Sequence, residues 1–216
     1  MSSSRSRSKS ATARRGRLFV IAAPSGAGKT SLVRALMAKD PSLKFSISYT
    51  TRPKRLAEKD GHDYFFVSRE EFDRMAAAGE FLEYAQVFDH SYATSRRQVE
   101  EALAAGRNLI LEIDWQGAQQ VRAAMADGVS IFILPPSRTA LEERLKQRRT
   151  DSPEVIARRL RDAVADMSHW NEFDYVIVND RFEKALKDLG AIVAGRGQAL
   201  ATRRPELKRV IRALLA

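Results

Sequence analysis

The sequence predicts an α/β domain of three layers, in which helices cover both faces of a mostly parallel sheet. Short apolar runs of strand length alternate with segments of helical periodicity through residues 17–195. Strands that alternate with helices form parallel sheets, because each return to the sheet requires a crossover connection. A length of 216 residues with 44% hydrophobic content is enough for one core that carries inserted subdomains.

The core strands are predicted from apolar runs that end in turn-forming or acidic residues. The first such run is followed by Pro24 and Gly26, which stop a strand and begin a turn. The strongest strand signal ends in two acids, Glu112 and Asp114. In chain order, the predicted core strands are RLFVIAA, FSISYT, NLILEID, VSIFIL and YVIVND.

The helices are predicted from apolar spacing of three and four residues and from their end signals. Residues 29–39 place four apolar side chains on one face before Asp40-Pro41 stops the helix. Ser152 and Pro153 suit the N-cap and first position of a later helix. The other predicted helices span residues 96–105, 115–128, 139–149, 153–169 and 181–194, with a short amphipathic helix in ELKRVIRALL.

Residues 52–95 depart from this alternation and predict a small mixed insert. Two short aromatic strands, DYFFVS and FLEYAQVF, flank a helix. Ser68 and Glu71 have the spacing of a capping box at the start of that helix. The predicted organisation is a basic tail (1–16), a domain (17–195) and a basic extension (196–216). Within the domain lie the core (17–51, 96–136, 170–195), the insert (52–95) and a helical lid (137–169).

Charge and composition exclude several classes of protein. Residues 1–17 hold six basic residues and no acid, and residues 196–216 hold six against one acid, so the tails account for the net charge of +10. Solvated, disordered tails are the plain interpretation; contact with nucleic acid is left open. With no Cys, no secretory-type leader and no long apolar run, we expect a soluble cytoplasmic protein without disulfides or a membrane span. A homo-oligomer is also left open.

The stretch IAAPSGAGKTSL predicts a phosphate-binding loop. It joins a strand to a helix, and its last residues match the pattern G-x-x-x-x-G-K-[ST]. Backbone N–H groups and the helix N-terminus attract phosphates, the Lys reaches the β- and γ-phosphates, and the Thr hydroxyl suits Mg²⁺. Ala23 stands where the pattern has its first Gly; a left-handed backbone there would cost about 1 kcal/mol. The predicted nucleotide-binding residues are Ala23, Pro24, Ser25, Gly26, Ala27, Gly28, Lys29 and Thr30.

Three further groups of residues suit phosphoryl transfer. The acids at 112 and 114 are two residues apart and should point the same way on a strand; Asp114 could hold Mg²⁺ through water, or the acids could pair with nearby Arg. Six Arg lie between residues 144 and 161, where they could stabilise the transferring charge or form a solvated basic face. Arg52 and Arg55 follow a predicted strand with no acid in the run SISYTTRPKR, which suits a second phosphate-bearing substrate.

Taken in order, these pieces resemble the guanylate kinases from residue 18 to about 193. The matching motifs are PSGAGKT, SYTTRPKR, GHDYFFVS, EFLEYAQV, SYATS, LEIDWQGA, IFILPPS, LKQRR and VIVND. The resemblance implies a P-loop core with a GMP-binding insert and a mobile lid. It also implies transfer of the ATP γ-phosphoryl group to GMP (and dGMP) with Mg²⁺, in purine nucleotide metabolism.

The resemblance also implies site residues. It places catalytic roles on Lys29 and on the lid residues Arg144, Arg148 and Arg159, and metal contacts on Thr30 and, through water, Asp114. A carboxylate such as Glu83 can accept hydrogen bonds from guanine N1–H and its 2-amino group, neither of which adenine offers in that arrangement. The implied GMP-binding residues are Ser48, Arg52, Arg55, Tyr64, Glu83, Tyr92, Thr94 and Glu112.

Three departures from the family pattern and three rival hypotheses accompany this prediction. Ala23, Ala93 and Arg149 each replace a usual Gly, and the last could alter the lid hinge near Arg148. The rivals are a non-catalytic guanylate-kinase-like domain that binds phosphopeptides, a kinase with another small acceptor, and a nucleic-acid binder. The presence of Lys29 and Glu83 argues against the first two.

Overall fold

A computed structural model describes residues 15–87, 89–147 and 152–215 of the chain. Nine strands lie within these ranges. In chain order they are β1 Leu18–Ala22, β2 Leu43–Phe45, β3 Tyr49–Thr50, β4 Phe65–Phe66, β5 Phe81–Val87, β6 His90–Ser95, β7 Asn108–Glu112, β8 Val129–Leu134 and β9 Tyr175–Val178.

Eight α-helices accompany the strands in the described part of the chain. They are α1 Lys29–Lys39, α2 Arg69–Ala77, α3 Arg96–Ala104, α4 Trp115–Ala124, α5 Arg138–Lys146, α6 Pro153–Met167, α7 Phe182–Val193 and α8 Leu207–Leu215. The predicted caps are present: Ser68 accepts from the N–H of Glu71, and Ser152 caps α6 directly before Pro153.

The core is a parallel sheet with helices on both faces, which confirms the predicted fold class. Its five strands lie in the order β2-β7-β1-β8-β9. Successive side chains of β1 point to opposite faces of the sheet. Phe19 and Ile21 lie on the face covered by α1 and α7, whereas Leu18 and Val20 lie on the face covered by α3 to α6 and α8. Because the strands run parallel, their carboxyl ends meet at one edge, where α1 and α4 begin.

The insert forms a second sheet of four strands, in the order β4-β3-β6-β5. Strands β3 and β4 are parallel, whereas β6 runs antiparallel to both β3 and β5. Strand β6 was not predicted as a strand, because SYATS lacks the apolar alternation of a half-buried strand. Helix α2 packs Phe72 and Met75 against Phe81 and Ala93 to form a separate small core.

The prediction of one strand over FSISYT was wrong. Leu43–Phe45 pairs with β7 in the core sheet, whereas Tyr49–Thr50 pairs with β4 and β6 in the insert. The chain leaves one sheet and enters the other between Ser46 and Ser48. An alternating pattern cannot reveal such a change of partner, because both halves keep the same period of two.

The C-terminal segment forms the predicted amphipathic helix. Leu207, Ile211 and Leu214 of α8 are buried in the cluster that covers one face of the sheet. Arg138 at the start of α5 also donates from Nε to the carbonyl of Leu214 at 2.7 Å. Residues 207–215 therefore pack against the domain, and the interpretation of the C-terminal extension as a solvated, disordered tail was wrong. No helix in the described ranges is long and apolar enough to cross a membrane.

Candidate active site

The phosphate loop connects β1 to α1 and has the backbone shape that its glycines predict. Gly26 and Gly28 have φ of 86° and 92°, in the left-handed region that favours glycine. The N–H of Ala27 donates to the carbonyl of Pro24 at 3.2 Å and closes the turn. Gly28 is the N-cap of α1, so the loop ends directly on the first helical N–H groups. Ala23 lies half-buried before this turn and packs against the cluster under α1.

A buried Asn that was not predicted from the sequence supports the phosphate loop by a hydrogen bond to its backbone. Asn179 follows β9, and its Nδ2 donates to the carbonyl of Ala27 at 2.8 Å. A Cβ on Gly28 would lie 2.5 Å from that nitrogen, so the glycine also makes room for the amide. The polar residues that follow the last core strand, in VIVND, could have indicated a functional residue at this position.

Lys29 and Thr30 meet the acid at the end of β7. The Thr30 hydroxyl donates to Glu112 Oε1, and Lys29 Nζ lies 4.0 Å from the same oxygen. Lys29 Nζ also donates to the carbonyl of Ile113 at 2.9 Å. Burial lowers the pKa of Lys29, while the negative charges of Glu112 and Asp114 act in the opposite direction. The loop and the acid at the end of β7 therefore form one cluster.

Asp114 does not lie on the strand, which corrects the prediction that the two acids point the same way along it. Strand β7 ends at Glu112, and Asp114 is the N-cap of α4, where its Oδ1 accepts from the N–H of Gly117 at 2.8 Å. The extended conformation of a cap residue replaces the strand there. Among the described residues, no group of three or more His, Asp or Glu has the arrangement of a metal site. One hydroxyl and two carboxylates beside a phosphate loop still fit Mg²⁺, which keeps several waters and also binds substrate phosphates.

The insert brings a buried carboxylate to this edge of the core. Glu83 on β5 and Thr94 on β6 are cross-strand neighbours, and the Thr94 hydroxyl donates to Glu83 Oε1 at 2.6 Å. Glu83 is only 4% exposed. Burial raises its pKa to about 7, although the hydrogen bond from Thr94 favours the ionised form. A buried carboxylate with a raised pKa at the edge of a cleft is a typical feature of a functional site.

A second part of the insert gathers a guanidinium and two phenols. Arg52 lies 5.4 Å from the ring centre of Tyr64, and the rings of Tyr64 and Tyr92 meet edge to face at 5.9 Å. Burial raises the pKa of Tyr64, so it stays a neutral hydrogen-bond donor. In the same sheet, Tyr49 stacks on Phe65 with ring centres 4.8 Å apart and meets the ring of Phe81 at an angle of 52°.

An acid that the sequence analysis missed organises the two Arg of this region. Glu58 Oε1 accepts from Arg52 Nη2 at 2.6 Å, while Oε2 accepts from the backbone N–H of Arg55 at 2.9 Å. This bond to Glu58 is the main cause that raises the pKa of Arg52. The run TTRPKR contains no acid, but the chain turns back and supplies one from three residues beyond it.

Comparison with known proteins identifies the family. The family model for guanylate kinase matches residues 15–195. The chain belongs to the guanylate kinase family. A guanylate kinase of Methylococcus capsulatus is 56% identical over 200 residues, which cover 93% of this chain and 98% of the relative. A guanylate kinase of Methylobacillus flagellatus is 59% identical over 179 residues, covering 83% and 89%.

A solved structure agrees with this assignment. The crystal structure of guanylate kinase from Anaplasma phagocytophilum matches with a TM-score of 0.69 and 33% identity, covering 92% of this chain and 95% of that one. The curated guanylate kinases are phosphotransferases, so this member of the family is an enzyme.

The remaining residues implied by the resemblance to guanylate kinases differ in how closely they approach the site. Ser48 lies just before β3, and its carbonyl accepts from the N–H of Phe65 at 2.9 Å. The side chain of Arg55 is exposed, and Arg159 lies half-buried on α6. Arg148, like the hinge residue Arg149, lies outside the described residues. The limits of the lid and insert, and the individual roles of these residues, stay predictions.

Helix α5 contacts the phosphate loop directly. A Cβ on Gly26 would lie 2.9 Å from Leu141, and both Leu141 and Leu145 are fully buried. Between them, Arg144 donates from Nη2 to the carbonyl of Asn179 at 2.9 Å. Within the described part of the chain, its Nη1 is buried without a hydrogen-bond partner. Such a donor beside the loop is suited to a phosphate oxygen.

Proposed function

We propose that this enzyme transfers the γ-phosphoryl group of ATP to GMP, and also to dGMP, giving ADP and GDP. The observation that carries the proposal is the pairing of two sites. A phosphate loop with Lys29 and Thr30 lies at the edge of the core sheet, and a buried Glu83–Thr94 pair lies in the insert. The first suits a nucleoside triphosphate, and the second suits a base with two adjacent N–H donors.

On the donor side, the loop N–H groups from Gly26 to Thr30 bind the phosphates and Lys29 binds the β- and γ-phosphates. Thr30 and, through water, Asp114 would hold Mg²⁺. When it is bound, that ion neutralises part of the phosphate charge and orients the phosphates. Arg144, with Arg148 and Arg159, would stabilise the charge that develops on the transferring group.

On the acceptor side, the ionised carboxylate of Glu83 accepts from N1–H and the 2-amino group of guanine, and Thr94, Ser48 and Glu112 complete the base site. Arg52, Arg55, Tyr64 and Tyr92 bind the GMP phosphate. An oxygen of that phosphate forms a bond to the γ-phosphorus as the bond to the β–γ bridging oxygen breaks. No proton transfer is required, because an ionised phosphate oxygen is the nucleophile.

A Lys29→Ala variant tests the assignment of the loop. We expect turnover to fall by about a thousandfold or more, because the charge that faces the transferring group is lost. GMP binding, measured by titration calorimetry, should stay within about twofold, because Glu83 and Arg52 are untouched. Loss of GMP binding with turnover preserved would contradict the assignment. Phosphopeptide binding by a wild-type protein that releases no ADP would favour the non-catalytic alternative.

Cytoplasmic location, a role in purine nucleotide recycling, contacts of the basic tails and the oligomeric state stay predictions from the sequence.

A further inference from the structure

One face of α4 is joined to the edge strand of the insert by a side-chain amide. The N–H of Tyr84 donates to Gln120 Oε1 at 3.1 Å, and Gln120 Nε2 donates to the carbonyl of Tyr84 at 2.8 Å. Strand β5 is the last strand of its sheet, so both of these backbone groups point away from β6. The amide therefore pairs with β5 in the way that a neighbouring strand would.

This contact acts on the peptide that carries Glu83. The N–H of Tyr84 belongs to the peptide bond that joins Glu83 to Tyr84, and that peptide is planar. When Gln120 holds this N–H from the core, it restrains the orientation of the Glu83 backbone. The side chain of Glu83 then leaves the strand toward Thr94 and α4, where the base site is proposed.

The same face of α4 limits the position of the carboxylate itself. Gly117 lies three residues before Gln120, so the two positions share a face of the helix. A Cβ on Gly117 would lie 2.5 Å from Glu83 Oε2 and 3.2 Å from its Cδ. Asp114 fixes this first turn by accepting from the N–H of Gly117. Glycine is thus the residue that leaves space for the carboxylate against the helix.

We propose that Gly117 and Gln120 are positioning residues that determine base selectivity by holding Glu83 in place, and this rests on the proposed function. Neither residue needs to touch substrate. Gln120 restrains the backbone of the strand that carries Glu83, and Gly117 determines how closely the carboxylate approaches α4. The selectivity for guanine then depends on α4, which begins at the same edge of the core sheet as the phosphate loop.

The expected size of the effect follows from the two hydrogen bonds. Each contributes about 1 kcal/mol net, so their loss corresponds to a change of about tenfold to thirtyfold. The loss should appear in recognition of the base, since the residues of the phosphate loop keep their contacts. We therefore expect Gln120→Ala to reduce the ratio of kcat/KM for GMP over IMP, which lacks the 2-amino group, by about tenfold.

The test compares Gln120→Ala with the matched control Gln119→Ala. Gln119 is the adjacent residue of the same type, but its Nε2 donates to Glu172 Oε2 at 2.7 Å, away from the insert. The GMP over IMP ratio should fall in Gln120→Ala and stay unchanged in the control, with the KM for ATP unchanged in both. A general loss of folded enzyme lowers both rates equally, so an unchanged ratio in Gln120→Ala overturns the proposal.

Gly117→Ala supplies a second variant that does not depend on lost hydrogen bonds. Alanine favours a helix over glycine, so the fold should be kept, while the added methyl group displaces the Glu83 carboxylate. We expect a Tm close to that of the wild type, because the gain in helix propensity and the cost of displacing the carboxylate oppose each other, and a GMP over IMP ratio reduced by about tenfold or more. A stable Gly117→Ala enzyme with the wild-type ratio overturns the proposal even if Gln120→Ala does not fold. If the wild-type enzyme does not phosphorylate GMP, the proposed function itself fails.

Discussion

Replacing Glu83 with Gln should raise the free energy of unfolding relative to that of the wild type as pH increases, while it damages recognition of GMP. Burial raises the pKa of Glu83 from an ordinary value of 4.5 to about 7 in the folded state. Between these two values the folded protein binds a proton that the unfolded chain does not. Glu83 therefore contributes a fall in the free energy of unfolding of the wild type as pH rises through this range.

The magnitude follows from the size of that change. Each tenfold change in proton affinity corresponds to about 1.4 kcal/mol, so a pKa raised from 4.5 to about 7 corresponds to about 3 kcal/mol. Glu83 is 4% exposed, so solvent screens this cost little. A Gln has the same shape, still accepts from the Thr94 hydroxyl and carries no charge. Whatever fixed cost the amide adds, it does not vary with pH.

Urea unfolding of wild type and Glu83→Gln from pH 5 to pH 8 measures the difference. The variant should gain about 2.5 kcal/mol relative to the wild type across this range, because the unfolded carboxyl is already mostly ionised at pH 5. Titrating groups that do not interact with Glu83 cancel in the comparison. At pH 8 the variant should also lose discrimination of GMP over AMP by about a hundredfold, because a guanine donor now faces an amide donor. Parallel stability curves would refute the reasoning that Glu83 is a buried, proton-binding carboxylate.

Three further predictions concern the loop and its support. Ala23→Gly should change the KM for ATP by less than about threefold, because the N–H groups of the cradle lie further along the loop; a rise of activity from near zero would show that Ala23 disables the loop. Asn179→Ala should raise the KM for ATP by about tenfold, because the carbonyl of Ala27 loses its buried partner; an unchanged KM would remove Asn179 from the support of the loop. Leu214→Ala should cost about 3 kcal/mol in urea unfolding, because this fully buried side chain leaves a cavity; a cost below about 0.5 kcal/mol would mean that α8 does not pack as described.

The phosphate loop could be predicted from the sequence because its chemistry is local. Gly26, Gly28, Lys29 and Thr30 act through the backbone and side chains of one continuous turn, and a strand and a helix flank them. The alternation of apolar runs likewise predicts the core, since each strand carries its own signal. The helix over residues 207–215 was predicted from spacing alone for the same reason.

The support of the site could not be predicted in this way, because it depends on residues distant in sequence. Asn179 holds a carbonyl 152 residues earlier in the chain. Gln120 binds a strand 36 residues before it, and nothing in WQGAQQ distinguishes Gln120 from Gln119. Only the folded arrangement shows which of two adjacent amides faces the insert.

The two errors have different origins. FSISYT has the period of a strand throughout, but its two halves pair in different sheets, and pairing is a long-range property. Asp114 follows the strand pattern in sequence, yet the start of α4 requires a cap at that position. Strand pairing is a tertiary property, whereas the cap at Asp114 is a local signal that the strand pattern obscured.

The most direct test of the central claim is a coupled assay of ADP release with ATP, Mg²⁺ and a panel of acceptors. With GMP and dGMP the wild-type enzyme should release ADP at a rate that saturates with acceptor. With AMP, CMP and UMP the value of kcat/KM should be lower by about a thousandfold or more, because each leaves the buried Glu83 carboxylate without its two donors. No release of ADP with GMP, or equal rates with all five acceptors, would contradict the account.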